Sequence, residues 1–161
     1  LRKGTPPPTN GAQFVFMPST PQQAALVYPQ IGFYSKQNVP VFATSHVNEI
    51  STGRTYYEDL QGLNFCELPW VLNISSIQQH ARNQLSSVSP SNSQKLFRLQ
   101  ALGYDALYLS LQLFNRGRFG ETHSPYLYAG ATGALSLQAN RQFSRQLMWA
   151  SYQEGQVKLA P

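Results

Sequence analysis

The chain has 161 residues, of which 42% are hydrophobic and 12% charged, and 12 Lys and Arg against 7 Asp and Glu give a net charge of +5. This length suffices for one domain with a buried core, and the aromatic content excludes a disordered chain. No window approaches the ~18 apolar residues of a membrane-spanning helix. The cations fall in small scattered groups, so the positive balance does not predict a nucleic-acid partner. The single cysteine, Cys66, excludes an internal disulfide and any zinc site built from several cysteines.

The N-terminal region has the pattern of a linker followed by a βαβ unit. Residues 1–12 are proline-rich and lack periodicity, which predicts an extended linker. The chain begins at Leu1 without a signal-peptide pattern, and we expect this start to be a cloning or a processing boundary. The apolar runs Gln13–Met17 and Val39–Ala43 predict parallel strands covered on both faces. Between them, hydroxyl residues before a proline at 19–21 predict a helix start, and we expect Pro29 to kink or divide that helix.

The second half of the chain changes from helical to strand periodicity. Alternation over Leu63–Leu68 predicts a strand, and helical spacing of apolar residues predicts a modest helix around Ala81. The longest predicted helix covers Leu96 to Leu113, with an apolar stripe broad enough to indicate burial on more than one side. Beyond residue 125, turns at Gly130–Gly133, Gln138–Asn140 and Glu154–Gln156 separate four predicted strands: Tyr126–Ala129, Ala134–Leu137, Phe143–Tyr152 and Val157–Leu159.

The sequence contains no recognisable catalytic constellation. His46, His80 and His123 are widely separated and match no metal-ligand spacing. Cys66 lies in a predicted strand, which favours a half-buried small hydrophobe over a nucleophile. Gly130–Gly133 lacks the lysine and hydroxyl residue of a phosphate loop and predicts a tight turn that needs a positive φ. We therefore predict no catalytic residue, no metal and no cofactor.

Two loops at strand ends are candidates for binding. In an open α/β sheet, ligands bind beyond the carboxyl ends of the strands. The loops after the second and third predicted strands supply five candidate residues for a ligand or partner cleft: Thr44, Ser45, His46, Pro69 and Trp70. For Trp70 a second role stays open, that of a core plug at a strand end, because a large aromatic suits either position.

Five segments between Gln13 and Val157 carry a resemblance to a known family. They are Val39–Ser45 (VPVFATS), Asp59–Trp70 (DLQGLNFCELPW), Ala101–Ala106 (ALGYDA), Gly130–Leu137 (GATGALSL) and Arg145–Ala150 (RQLMWA). In this order they resemble the LpoA (LppC) family of outer-membrane lipoproteins, which activate penicillin-binding proteins. The Cys-x-x-Pro-Trp segment is particular to that family, whereas the ALGYDA and GATGALSL patterns recur across type 1 periplasmic binding protein folds. The family's hairpin usually carries Asp-x-Gly where this chain has Gln138–Asn140, and we expect the turn to survive because asparagine tolerates a left-handed conformation.

The resemblance implies an α/β fold of the type 1 periplasmic binding protein class, with Rossmann-like parallel sheets in its lobes and a β-rich C-terminal tail. It implies that residues 13–161 are the C-terminal part of such a two-lobed domain. About 13–75 and 126–161 would form one lobe, and 76–125 the other. The first half of that domain, an N-terminal helical-repeat region and a lipid-attachment cysteine would lie outside this chain. We then expect exposed apolar surface, such as part of the long helix's stripe.

The function implied by the resemblance is regulation rather than catalysis. A member of this family stands in the periplasm of a Gram-negative bacterium, anchored to the inner leaflet of the outer membrane by a lipid that this chain does not carry. It binds a bifunctional class A penicillin-binding protein and stimulates its transpeptidase, which would be allostery through an active state of the synthase. The alternative is a periplasmic solute-binding module for a small amino-acid-like or cell-wall-derived ligand.

Overall fold

The computed structural model describes residues 12–35, 39–48, 57–88, 96–115 and 126–160. All but the last residue of the predicted linker 1–12 lies outside these ranges. The strands are β1 Val15–Met17, β2 Val41–Ala43, β3 Asn64–Glu67, β4 Tyr126–Ala129, β5 Ala134–Leu137, β6 Phe143–Gln146, β7 Met148–Gln153 and β8 Gln156–Leu159. The helices are α1 Pro21–Tyr34, α2 Pro69–Leu72, α3 Ser76–Val88 and α4 Phe97–Asn115, and a 3₁₀ turn covers Ser45–Val47.

The strands form two sheets. The larger sheet has the order β1-β2-β3-β7-β8, in which β1, β2 and β3 are parallel, β7 is antiparallel to β3, and β8 is antiparallel to β7. The smaller sheet is an antiparallel meander of β4, β5 and β6. This mixed architecture confirms the predicted α/β class with a β-rich tail.

The βαβ unit forms as the sequence predicts. The side-chain hydroxyl of Thr20 accepts from the backbone N–H of Gln23 at 3.4 Å, and the Gln23 amide oxygen accepts from the backbone N–H of Thr20 at 3.1 Å. This capping box satisfies two amides of the first turn of α1, and Pro21 begins the helix. The helix continues through Pro29 to Tyr34, so the proline does not divide it. Strands β1 and β2 then pair in parallel.

The C-terminal tail divides between the two sheets. The run Phe143–Tyr152, expected as one strand, breaks at Leu147: β6 pairs with β5, whereas β7 pairs with β3. Residues 148–159 thus join the sheet of residues 15–67, while 126–146 form a sheet of their own. The second sheet contacts α4, where the ring of Tyr108 stacks on that of Tyr128 at 4.6 Å. The β4–β5–β6 meander shares no strand with the larger sheet in the described residues, and the expected division of the chain between two lobes stays a prediction.

The larger sheet is covered on one face. On that face Val41, Phe65 and Tyr152 are buried with Ala24 of α1. The expectation that β1 and β2 are buried on both faces is therefore wrong. The other face carries an edge-to-face row of rings, Phe14 to Phe42 at 6.4 Å and Phe42 to Trp149 at 5.3 Å.

This exposed side of the sheet, formed by Phe14, Phe16, Phe42 and Trp149, is called the open aromatic face below. Phe16 is 60% exposed and Trp149 48%. The register produces the face, since Phe16 pairs with Phe42 and Cys66 with Trp149. Paired residues of neighbouring strands point to the same side of a sheet, so these side chains gather on one face.

Helix α4 buries a single row of residues rather than a broad stripe. Its buried positions recur every four residues and are Ala101, Asp105, Leu109 and Leu113. Leu99 and Leu102, two members of the predicted stripe, are exposed. The expectation of burial on more than one side is thus wrong, and the expectation of exposed apolar surface on this helix is confirmed. Within the described ranges, no helix combines the length and apolar content that crossing a bilayer requires.

Candidate functional site

The predicted cleft residues after β2 stay together at the carboxyl end of that strand. Thr44 precedes the 3₁₀ turn, and its hydroxyl lies 3.3 Å from Nδ1 of the exposed His46. Ser45 is half-buried, and its carbonyl accepts a hydrogen bond from Nη2 of Arg98 at 2.9 Å. The turn therefore presents one imidazole and one hydroxyl to solvent, while its backbone is held from within.

Of the two roles that the sequence left open for Trp70, a binding residue or a core plug at a strand end, the structure has the core plug. Its side chain is 1% exposed, and its ring packs at 5.3 Å from that of Tyr104 in α4. Its backbone N–H donates to the Ala131 carbonyl at 3.1 Å, and its carbonyl accepts from Arg82 at 2.9 Å. Trp70 is a core residue and offers no surface to a ligand. Pro69, half-buried at the start of α2, lines a cavity that contains neither Thr44 nor His46, so the five candidates do not form one cleft.

An ion pair between a buried glutamate and a partly exposed arginine lies where the cleft was expected, and sequence reasoning missed it. Glu67, at the end of β3, is fully buried. Arg98 donates from Nη2 to its Oε2 at 2.7 Å and from Nε to its Oε1 at 3.3 Å. The same carboxylate accepts from the Asn48 amide at 2.9 Å and from the Leu68 backbone at 3.0 Å. A buried carboxylate is tolerated only when it is paired and hydrogen-bonded, and Glu67 meets both conditions.

The 3₁₀ turn is fixed from two sides by this network. Arg98 Nη2 bonds to the carbonyls of Ser45 and Asn48 at 2.9 and 3.0 Å. On the other side, the hydroxyl of Tyr152 donates to the Val47 carbonyl at 2.8 Å. Burial is the main reason that the pKa of Tyr152 lies far above its usual range. The backbone carbonyls of Ser45, Val47 and Asn48 at the end of β2 are thus already bonded to the protein.

A second network joins the motifs that carry the family resemblance. In α4, the Asp105 carboxylate accepts from the backbone N–H groups of Ala131 and Thr132 and from the Thr132 hydroxyl, each at 2.7 Å. A Cβ on Gly130 would lie 2.6 Å from Asp105 Oδ2, so this turn residue must be glycine. Gly133 has a φ of 136°, as the predicted tight turn requires. Asp105 therefore clamps the β4–β5 turn onto α4.

Together with Trp70, this clamp forms one packing unit, called the motif node below: Trp70, Tyr104, Asp105 and the turn Gly130–Gly133. Three segments that are far apart in sequence meet here through ring packing and backbone hydrogen bonds. The sequence signal for the node was the co-occurrence of these motifs, although periodicity gave no reason for an aspartate on the buried side of α4. The node organises the fold: all the hydrogen bonds of the Asp105 carboxylate named above go to the β4–β5 turn, while Trp70 Nε1 is buried without a hydrogen-bond partner among the described residues.

The hairpin that departs from the family pattern keeps its turn in a different way from the one expected. The left-handed residue is Arg141, with a φ of 65°, rather than Asn140. The Asn140 side chain instead accepts from the backbone N–H of Gln142 at 3.1 Å. This short side-chain bond closes the turn and makes a positive φ at the asparagine unnecessary.

The remaining candidates for chemistry lie apart from one another. His46 and His80 are exposed on different elements, and His123 lies outside the described residues. In the described part of the chain, no three His, Cys, Asp or Glu residues are close enough to share a metal ion. The Cys66 thiol is half-buried, and burial, followed by the neighbouring Glu67 carboxylate, raises its pKa. A raised pKa disfavours the thiolate that a nucleophile needs.

Solved structures share this fold. The C-domain of LpoA from Haemophilus influenzae, a regulator of PBP1A, superposes with a TM-score of 0.69 at 24% identity, covering 93% of this chain and 45% of that one. A Rhodospirillum rubrum structure named "putative branched-chain amino acid ABC transporter" gives a TM-score of 0.66 at 17% identity, covering 92% and 44%. At these identities the comparison establishes the fold, which both proteins share with this chain.

The sequence comparisons identify the family. The penicillin-binding protein activator LpoA of Pectobacterium parmentieri is 28% identical over 148 residues, which are 89% of this chain and 20% of the relative. The chain thus spans about a fifth of the length of the curated relatives that it matches. The family model described as "LppC putative lipoprotein" matches residues 5–155. With nearly its whole length matched, the chain belongs to the LppC family.

Proposed function

We propose that this chain is part of a non-catalytic regulator of peptidoglycan synthesis. It binds a bifunctional class A penicillin-binding protein in the periplasm and stimulates its transpeptidase activity. The observation that carries the proposal is the family match over residues 5–155. Curated relatives are named penicillin-binding protein activators, and the H. influenzae protein is named a regulator of PBP1A.

The geometry supports a binding role over an enzymatic one. The Glu67 carboxylate is neutralised by Arg98, and the Asp105 carboxylate has three donors bonded to it. Neither acid has a free face toward solvent, since both are buried. A general acid or base must reach its substrate's proton, so these two carboxylates are poorly placed for catalysis.

We further propose that residues 13–161 are the C-terminal part of a two-lobed domain that is completed by other polypeptide. The open aromatic face and the exposed leucines of α4 support this organisation, because apolar surface of this kind usually marks a contact. In such a protein a lipid anchor outside this chain would hold the domain at the inner leaflet of the outer membrane, as expected for a lipoprotein family.

The alternative function, a solute-binding module, is favoured by the likeness in fold to the R. rubrum structure. It requires an open cleft at the ends of β2 and β3. There, the Ser45 carbonyl is bonded to Arg98 and Trp70 is buried, so these two groups are not available to line a ligand cleft. A thermal-shift screen with amino acids and muropeptides tests the alternative, since a bound ligand raises the melting temperature.

A binding measurement tests the proposed function. The immobilised chain is titrated with a class A synthase from the same genome, and a monofunctional class B transpeptidase serves as the control. Saturable binding of the class A enzyme alone is the expected result. Equal binding of both enzymes, or of neither, would overturn the proposal.

A further inference from the structure

We draw no further inference here: the strongest candidate, the apolar side of α4 that carries the exposed Leu99, Leu102 and Leu107 and borders a groove against α3, carries no proposal because nothing in the structure shows what covers it.

Discussion

Arg98 and Glu67 are 31 residues apart in sequence, and Nη2 of the first lies 2.7 Å from Oε2 of the second. The contact ties the first turn of α4 to the end of β3. Because Arg98 also bonds two carbonyls of the 3₁₀ turn, one guanidinium holds three elements together. The carboxyl end of the sheet is thus closed by the protein's own charges.

Removing the arginine should therefore destabilise the fold strongly. Arg98→Met leaves the buried Glu67 carboxylate without its counter-charge, which we expect to lower the free energy of unfolding by about 2–4 kcal/mol. We expect a loss at the lower end of this range, because Arg98 is partly exposed and water can screen its charge from Glu67. Urea denaturation measures the loss.

The double variant Glu67→Gln/Arg98→Met is the control for that experiment. With both charges removed, no uncompensated ion stays buried, so the double variant should be more stable than Arg98→Met alone. A double variant as unstable as the sum of the two single changes would contradict the ion-pair explanation.

Two glycines of the motif segments should respond to alanine in opposite ways. Gly130→Ala places a methyl group against the Asp105 carboxylate and should destabilise the chain by about 2 kcal/mol or more. Gly103→Ala lies in α4 with no atom within 4 Å of the new Cβ, and should stabilise it by about 0.5–1 kcal/mol. Thermal unfolding measures the stability of both variants. An equal change in stability for Gly130→Ala and Gly103→Ala would contradict the role of Asp105 in holding the β4–β5 turn.

Tyr152 predicts how stability changes at alkaline pH. Burial raises its pKa in the folded chain above the usual value of 10.0, so the folded state keeps the proton after the unfolded state releases it. The contribution is complete below about pH 10 and is lost as the pH rises beyond it, by at most about 1.4 kcal/mol per pH unit. Tyr152→Phe should flatten this slope in chemical denaturation at pH 9 to 11. An unchanged slope would show that other groups cause it.

The open aromatic face should bind hydrophobic dyes without supporting the fold. Trp149→Gln should reduce the fluorescence of bound anilinonaphthalene sulfonate and change the free energy of unfolding by no more than about 0.5 kcal/mol. Trp70→Ala, at the buried tryptophan, should instead cost about 3–5 kcal/mol. Similar losses of stability in the two variants would contradict the assignment of a covered and an open face.

The local signals in the sequence were sufficient for the βαβ unit and for the first two strands of the tail. Thr20 and Pro21 indicate a helix start because capping involves only neighbouring residues. The alternation of apolar and polar residues over Ala134–Leu137 is local too, because successive side chains of one strand point to opposite faces. The uncovered face of β1 and β2 was not predictable in the same way. An apolar run has the same pattern whether its second face contacts this chain or another segment.

The long-range features left weaker signals. Glu67 shares a strand face with Leu63 and Phe65, so alternation places it on the buried side, but nothing near it in sequence indicates that Arg98 will neutralise it. The switch between sheets at Leu147 has no glycine or proline to mark it, so Phe143–Tyr152 looked like one strand. Of the five candidate cleft residues, Trp70 was ambiguous for a physical reason, since a large aromatic fits both a core and a binding surface.

The regulatory role is tested most directly by the product of the synthase itself. A class A penicillin-binding protein from the same genome is supplied with lipid II, with and without this chain, and the cross-linked fraction of the digested muropeptides is measured. We predict that the cross-linked fraction rises in proportion to the chain bound and that Gly130→Ala, which disturbs the motif node, weakens the rise. A cross-linked fraction that stays unchanged while the unmodified chain is bound to the synthase would contradict the role proposed for it.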